Sequence, residues 1–250
     1  MMQRYKLTIE YDGSGFVGWQ RQKNGLGVQE ALEQAIKKFC GETVTVFGSG
    51  RTDAGVHAMA QIAHFDIEKC TDNDTVRDAL NNHLPKGTAS ILKAEAVSDD
   101  FHSRFSAEQR AYVYRIVSRR SPITYDQGRV WWVPVKLDAD AMQESAQLLI
   151  GKHDFSTFRA ANCQADGPIK TLDSIKVDRI AYPGGDEIRI HVRAKSFLYH
   201  QIRNFAGSLK LVGEGRWSAD DFSGAFTATD RTRGGPTAPP EGLYFVEVVY

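Results

Sequence analysis

The pattern of apolar and polar residues predicts the order of elements in the first hundred residues. The two classes alternate from Tyr5 to Tyr11, as in a half-buried strand. Apolar residues recur with helical spacing from Val28 to Phe39, and Gly41 follows as a helix stop. Strands are also predicted at 43–47, 61–67 and 89–97, and a helix at 74–84. The order is strand, helix, strand, strand, helix, strand.

The rest of the chain repeats this order without a visible repeat of residues. Strands are predicted at 112–117, 172–180, 187–194 and 243–249, helices at 138–150 and 197–212, and a further short helix at 218–226. Two consecutive βαββαβ units are the split-βαβ, ferredoxin-like arrangement. We therefore predict an α+β fold of two halves, 1–105 and 106–250, whose antiparallel or mixed sheets lie side by side under helices. A cleft between two such halves is a common place for a ligand site.

Composition places the chain among ordinary globular proteins. Its 250 residues are 42% hydrophobic and 25% charged, and no apolar run approaches the ~20 residues that span a bilayer. The N-terminal residues enter a strand pattern at once and have no apolar signal region. The three cysteines, Cys40, Cys70 and Cys163, fit neither a disulfide framework nor a zinc site. These features predict a cytoplasmic protein with no membrane association.

Positive charge is concentrated in two stretches although the net charge is zero. Residues 102–120 contain five arginines and one acid, and residues 189–216 contain six lysines and arginines and one acid. A neutral chain is not typical of a nucleic-acid-binding protein, whereas local basic clusters are. A solvated basic face explains either cluster equally well.

A glycine-rich stretch, Gly48-Ser-Gly-Arg-Thr-Asp-Ala-Gly-Val-His-Ala58, lies between two predicted strands and carries the first candidate for chemistry. It matches neither the dinucleotide-binding fingerprint nor the P-loop. Asp53 has two interpretations: a carboxylate that shapes the turn, or one presented to a ligand. Arg51 favours the second, because a nearby cation lowers a carboxylate pKa by about 1–3 units and a nucleophilic carboxylate must be ionised. His57 and His64 do not complete a compact zinc pattern with Asp53.

Two further candidates lie in the second half. Tyr112 begins a strand directly after an arginine-rich segment, so it is either an ordinary sheet aromatic or a platform on which a base stacks. Arg203 lies on a predicted helix and would, alone, be a surface arginine. The Gly- and Pro-rich stretch 231–242 predicts a structured turn rather than a simple link.

Several motifs in the same order resemble the tRNA pseudouridine synthase A family along almost the whole chain. They are Tyr11-Asp-Gly, Gly18-Trp-Gln-Arg-Gln22, Gly50-Arg-Thr-Asp-Ala-Gly-Val-His57, Phe101-His-Ser-Arg-Phe-Ser-Ala107 with Arg110 and Tyr112, Gly151-Lys-His-Asp-Phe-Ser-Thr-Phe158, Ser196-Phe-Leu with Ile202-Arg-Asn204, and Gly235-Pro-Thr-Ala-Pro-Pro-Glu-Gly-Leu-Tyr244. One departure is Gln201-Ile202-Arg203, where the family often has Met-Val-Arg; the arginine is kept.

The resemblance implies isomerisation of uridine to pseudouridine in the anticodon stem-loop of tRNA, at positions 38, 39 and 40. It implies that Asp53 is the essential aspartate, Tyr112 the base-contacting tyrosine, and Arg51 and Arg203 active-site arginines, with Leu243 lining the cleft. Family members are homodimers in which one tRNA touches both subunits, and they use no cofactor or metal.

Two other functions fit the same residues. A tRNA-binding module without chemistry would use the same basic clusters. A hydrolase of a nucleoside or phosphodiester bond would need a second carboxylate or a metal cluster, for which no partner of Asp53 is visible nearby in the sequence.

Overall fold

A computed structural model describes residues 2–250 and divides the chain into two compact units. The first comprises the chain up to Glu108 together with Tyr244–Tyr250, and the second comprises Gln109–Leu243. The C-terminal strand, which the sequence pattern assigned to the second half, is therefore part of the first unit. None of the helices in residues 2–250 is long and apolar enough to cross a membrane.

The first unit has the predicted split-βαβ order. Its elements are β1 (Gln3–Tyr11), α1 (Val28–Cys40), β2 (Phe47–Gly48), β3 (His57–Ile67), α2 (Asn73–His83), β4 (Ala89–Val97) and β11 (Leu243–Val249). Strand β1 pairs antiparallel with both β3 and β4, and β2 pairs antiparallel with β3. The C-terminal strand β11 pairs with β3 in parallel through Tyr244 and Phe245. The predicted α+β class is confirmed.

The core of this unit is formed by the apolar residues that the strand and helix periodicities of the sequence place on one face. Alternate residues of β1, Tyr5, Leu7 and Ile9, are fully buried, and the apolar stripe of α1 is buried from Val28 to Ile36 but only half-buried at Phe39. Helix α1 ends as predicted at Gly41, whose φ of 82° is left-handed and whose N–H bonds to the carbonyl of Lys37.

The connection before β3 differs from the prediction. The predicted strand 43–47 is reduced to Phe47–Gly48, because the N–H of Val46 bonds to Glu33 Oε1 on α1 at 3.1 Å instead of to a neighbouring strand. Strand β3 begins at His57, four residues earlier than predicted. The glycine-rich connection is thereby shortened to residues 49–56, hereafter the aspartate loop.

The second unit has a related order of strands and helices but ends in two helices, because the predicted last strand belongs to the first unit. Its elements are β5 (Gln109–Ser118), β6 (Trp131–Val133), α3 (Ala139–Gln147), β7 (Gly151–Asp154), β8 (Ile169–Leu172), β9 (Ser174–Tyr182), β10 (Gly185–Ala194), α4 (Gln201–Gly213) and α5 (Ala219–Thr227). Strand β10 pairs antiparallel with both β5 and β9, β6 runs parallel to β5, and β7 and β8 form a separate antiparallel pair.

Helix starts in the second unit depend on local backbone chemistry. Asp138 caps α3, and Ser218 forms a capping box with Asp221 on α5, as predicted. Helix α4 begins at Gln201 and not at 197, because His200 has a left-handed φ of 61° that interrupts the helical path. The periodicity did not predict β6, β7 or β8, whose three or four residues are too short to show it.

Candidate active site

The start of the aspartate loop is fixed to β3 by a buried polar network. Ser49 donates its N–H to the Ile62 carbonyl at 2.7 Å and its hydroxyl to Gln61 Oε1 at 2.7 Å. The Gln61 amide in turn donates to the carbonyl of Gly50 at 2.8 Å. Ser49 and Gln61 are both buried, so these hydrogen bonds are shielded from water.

The centre of the loop is held at Thr52. The Thr52 hydroxyl is 2.8 Å from the buried hydroxyl of Tyr11, and its carbonyl accepts the N–H of Trp19 at 3.0 Å. Gly18 forms an isolated antiparallel bridge with Asp53. Burial raises the pKa of Tyr11 to about 12, outweighing its hydrogen bonds to Thr52 and Gln61, so this hydroxyl stays protonated at neutral pH.

The end of the loop is a tight turn packed on a histidine. Val56 donates its N–H to the Asp53 carbonyl at 3.1 Å, and Gly55 between them has a φ of 79°. His57 stacks on Tyr244 at 4.7 Å, and its Nδ1 accepts the Gly13 N–H at 3.1 Å. His57 is therefore a packing and hydrogen-bonding residue. Within residues 2–250, no three His, Cys, Asp or Glu side chains are placed to hold a metal ion.

These anchors alternate with residues that are less buried. Ser49, Thr52 and Val56 are buried, whereas Arg51 is exposed and Asp53 is half-buried. The loop thus presents the Asp53 carboxylate, with a cation two residues away, on a backbone fixed at both ends and in the middle. A reacting group gains most when its position is set before the substrate arrives.

Tyr112 lies within the sheet of the second unit. It is on β5 opposite Val192 of β10, is 8% exposed, and meets the Phe197 ring edge-on with centroids 5.3 Å apart. This packing sets the plane of the phenol ring.

Arg203 is fixed by the Gly- and Pro-rich segment 231–242. Its Nε donates to the Ala238 carbonyl at 2.7 Å, and the Ala238 N–H returns to the Arg203 carbonyl at 3.1 Å. Beside it, buried Asn204 Oδ1 accepts from the Thr237 hydroxyl at 2.7 Å and from Arg231 Nη2 at 3.1 Å. The segment is therefore a structured cover on α4 and not a flexible link.

The same segment also contacts β5 and leads to Leu243. The hydroxyl of Tyr114, two residues beyond Tyr112, donates to the Pro239 carbonyl at 2.7 Å. A Cβ on Gly242 would lie 2.7 Å from the Tyr114 ring, so only glycine fits there. Leu243 follows and is 6% exposed. Arg51 and Asp53 thus share one loop of the first unit, whereas Tyr112, Arg203 and Leu243 lie in the second unit.

Sequence reasoning did not identify the residues that position these groups. Gln61 and Tyr11 anchor the aspartate loop, and Asn204 and Arg231 anchor the cover of α4. The available signal was a polar residue at a position where the pattern places an apolar one, as at Gln61 and Asn204. Their partners, however, are distant in sequence.

Several lysines and arginines of the two basic clusters form ion pairs or hydrogen bonds within the protein. Arg115 and Arg189 both bind Glu187, each through Nε at 2.7 Å. Arg119 donates to three backbone carbonyls, and Lys210 pairs with Glu214. Four members of the two clusters remain exposed: Arg104, Arg120, Lys195 and Arg216. The basic surface that the two clusters expose is therefore smaller than the number of their lysines and arginines implies.

Comparison with known proteins gives a consistent result over the whole chain. A sequence model of the family described as tRNA pseudouridine synthase matches residues 7–106 and 145–250. Proteins named tRNA pseudouridine synthase A from Paramagnetospirillum magneticum and Rhodospirillum centenum are each 57% identical over 249 residues, covering 100% of this chain and 96% and 100% of theirs. The protein of that name from Xanthobacter autotrophicus is also 57% identical, with 100% of both chains covered.

Proposed function

Because this chain belongs to the tRNA pseudouridine synthase family, we propose that it isomerises uridine in the anticodon stem-loop of tRNA, at positions 38, 39 and 40, with Asp53 as its catalytic carboxylate. The family establishes an isomerase that acts on tRNA. The observation that carries the finer assignment is the aspartate loop, whose buried anchors hold one half-buried carboxylate next to an exposed arginine.

The reaction suits a single carboxylate. The N1–C1′ bond of uridine breaks, the uracil turns, and a C5–C1′ bond forms; C5 loses a proton and N1 gains one. The product is an isomer, so no electrons are exchanged with another molecule. An ionised Asp53 can attack C1′ or C6 of the uracil, or remove a proton.

The substrate uridine has to leave the base stack before a side chain reaches its sugar, which costs a few kcal/mol. Arg51, two residues before Asp53 in the chain, is exposed and has the length and charge to fill the space that the base leaves. Tyr112, with its ring plane set by Phe197, stacks on the flipped uracil. Arg203 and Leu243 contact the same nucleotide. The guanidinium of Arg203 is oriented by its bond to Ala238.

Binding of the tRNA backbone rests on the exposed lysine and arginine side chains of the two basic clusters. Arg104, Arg120, Lys195 and Arg216 are spread over both units, which suits a long RNA ligand. We include in this proposal a homodimer in which one tRNA touches both subunits.

The substitution Asp53→Asn tests the proposal because it keeps the shape of the side chain and removes its charge. With tRNA containing 5-tritiated uridine, we expect tritium release to fall by about a thousandfold or more while tRNA affinity stays within a few-fold. Asp74→Asn, at a carboxylate whose side chain is 77% exposed on α2, is the matched control and should keep full activity.

Two outcomes would contradict this function. Tritium release by Asp53→Asn at the wild-type rate would show that Asp53 is not the catalytic group. Tight tRNA binding by the wild-type protein without any tritium release would instead favour a binding module without chemistry.

A further inference from the structure

The first unit displays an aromatic cluster that the proposed chemistry does not use. The Phe105 side chain is 75% exposed and that of Phe47 is 47% exposed. His102 lies between them, with ring centroids 4.4 Å from Phe105 and 5.6 Å from Phe47. These three residues, the Phe47–His102–Phe105 cluster, form a row of rings open to solvent.

Hydrogen bonds and ring contacts with neighbouring residues hold the cluster in place. The fully buried Ser103 donates its hydroxyl to the Phe47 carbonyl at 2.6 Å, and its backbone N–H bonds to His64 Nδ1 at 3.2 Å. His64 stacks on Phe47 with centroids 5.1 Å apart, and the hydroxyl of Tyr250 donates to the Ser103 carbonyl at 2.7 Å. Rings fixed in this way lose little conformational entropy when a ligand stacks on them.

The cluster combines uncharged rings with one positive charge at its edge. Burial, together with the nearby guanidinium of Arg4, lowers the pKa of both His64 and His102, and Asp66 opposes this only in part at His64. Both imidazoles are therefore neutral at pH 7, and the rings form an uncharged surface. The guanidinium of exposed Arg104 lies over the Phe105 ring at 5.6 Å, so a positive charge stands at its rim.

The cluster is also close to Asp53 along the chain. Phe47 belongs to β2, which leads directly into the aspartate loop, and it precedes Asp53 by six residues. The six residues that separate Phe47 from Asp53 span at most about 20 Å, so a bound RNA strand needs only a few nucleotides to reach from one to the other. Exposed rings that stack on bases, with cations that bind the adjoining phosphates, are the common means of holding single-stranded RNA.

We propose that the Phe47–His102–Phe105 cluster is a second RNA contact, on which an unpaired base of the tRNA substrate stacks while Arg104 binds the adjoining phosphate. This inference rests on the proposed function, since that supplies the RNA. The cation at the rim favours a phosphate-bearing ligand over the other possible occupant, a second copy of this chain, because a base with its phosphate satisfies both the rings and the charge.

The test compares substitutions at Phe105, whose exposure makes them harmless to folding. Affinity for an unmodified tRNA transcript is measured by filter binding at fixed salt. We expect Phe105→Ala and Phe105→Leu to weaken binding by about tenfold, the size of one base–aromatic stack, and Phe105→Trp to stay within about twofold of wild type. Tyr125→Ala, at an aromatic side chain that is 96% exposed in the second unit, is the matched control and should change nothing.

The mass of the same variants, measured by analytical ultracentrifugation without RNA, distinguishes an RNA base from a second copy of this chain as the ligand of the cluster. Wild-type mass with weakened RNA binding supports the RNA contact. A lower mass for Phe105→Ala would show that the cluster is an interface between copies and would overturn the inference, as would unchanged RNA binding. Tritium release by wild-type protein is recorded in parallel, so that a failure of the proposed function is seen separately from a failure at Phe105.

Discussion

Neighbouring residues of the aspartate loop have different structural tasks. Thr52 is buried and fixed by the Tyr11 hydroxyl and the Trp19 N–H, while Arg51 before it is exposed and Asp53 after it is half-buried. A carboxylate next to such an anchor needs little reorganisation before it reacts. This is the residue-level basis for assigning the chemistry to Asp53.

The role proposed for Tyr112 depends on its ring and not on its hydroxyl. Phe at this position keeps the stacking face and the edge contact with Phe197, so we expect Tyr112→Phe to retain kcat/KM within about threefold. Tyr112→Leu should lower kcat/KM by about tenfold or more, with thermal melting as the check on folding. Equal losses in both variants would show that the hydroxyl takes part in proton transfer.

His64 makes the stability of the fold depend on pH. Burial lowers its pKa from 6.5 to about 4, with further lowering by His102 and Arg4. Between these values the unfolded chain binds a proton that the folded protein does not, so the free energy of unfolding falls as the pH falls from about 6.5 to about 4.

Urea unfolding at several pH values measures this effect. Between pH 7 and pH 5 the contribution of His64 is about 2 kcal/mol. His64→Gln, which keeps a polar group next to Ser103 but does not titrate, should lose less stability over this interval than the wild type. Parallel curves for the two proteins would show that His64 is not the group responsible.

At the scale of elements, the aspartate loop depends on the segment between β1 and α1. The N–H of Trp19 and the bridge at Gly18 hold Thr52 and Asp53, while the N–H of Val28, at the start of α1, bonds to the Gly18 carbonyl at 3.1 Å. The loop is therefore joined to β1, β3 and α1. Its position should change if this segment is disturbed.

Two glycines with positive φ provide a matched test of this dependence. A Cβ on Gly18, with φ of 111°, would lie 2.8 Å from the Thr52 carbonyl oxygen, whereas a Cβ on Gly41, with φ of 82°, meets nothing within 4 Å. Both Ala variants should lose about 1–3 kcal/mol of stability through backbone strain. Only Gly18→Ala should also lower kcat, by about tenfold or more, with KM for tRNA little changed. Equal kcat values in the two variants would contradict the proposed coupling.

Helices and strands that are long enough to show several repeats of their apolar–polar periodicity could be predicted from the sequence, and short ones could not. Strand β4 and helix α1 agree with the sequence pattern to within a residue at each end, because each shows several repeats of its periodicity. The segment 43–46 has strand-like residues but bonds to Glu33, a partner that no local pattern reveals. The candidate site shows the same contrast: motif residues such as Asp53 were visible in the sequence, but the anchoring contacts of Gln61 were not.

At the scale of the molecule, the C-terminal strand is the feature that the sequence could not place. Its alternation predicts a strand at Leu243–Val249 but not which sheet it joins. In the structure Tyr244 stacks on His57, and the hydroxyl of Tyr250 bonds to Ser103. The last residues therefore contact both His57, which directly follows the aspartate loop, and Ser103, which anchors the Phe47–His102–Phe105 cluster.

The role we propose for Asp53 is the conversion of uridine to pseudouridine in the anticodon stem-loop of tRNA. The most direct measurement is chemical mapping of pseudouridine in an unmodified tRNA transcript after incubation with the wild-type protein or with Asp53→Asn. We predict pseudouridine at one or more of positions 38, 39 and 40 with the wild type, intact RNA, no free uracil, and no pseudouridine with the variant. Free uracil or cut RNA, or the same pseudouridine with Asp53→Asn, would contradict this role of Asp53.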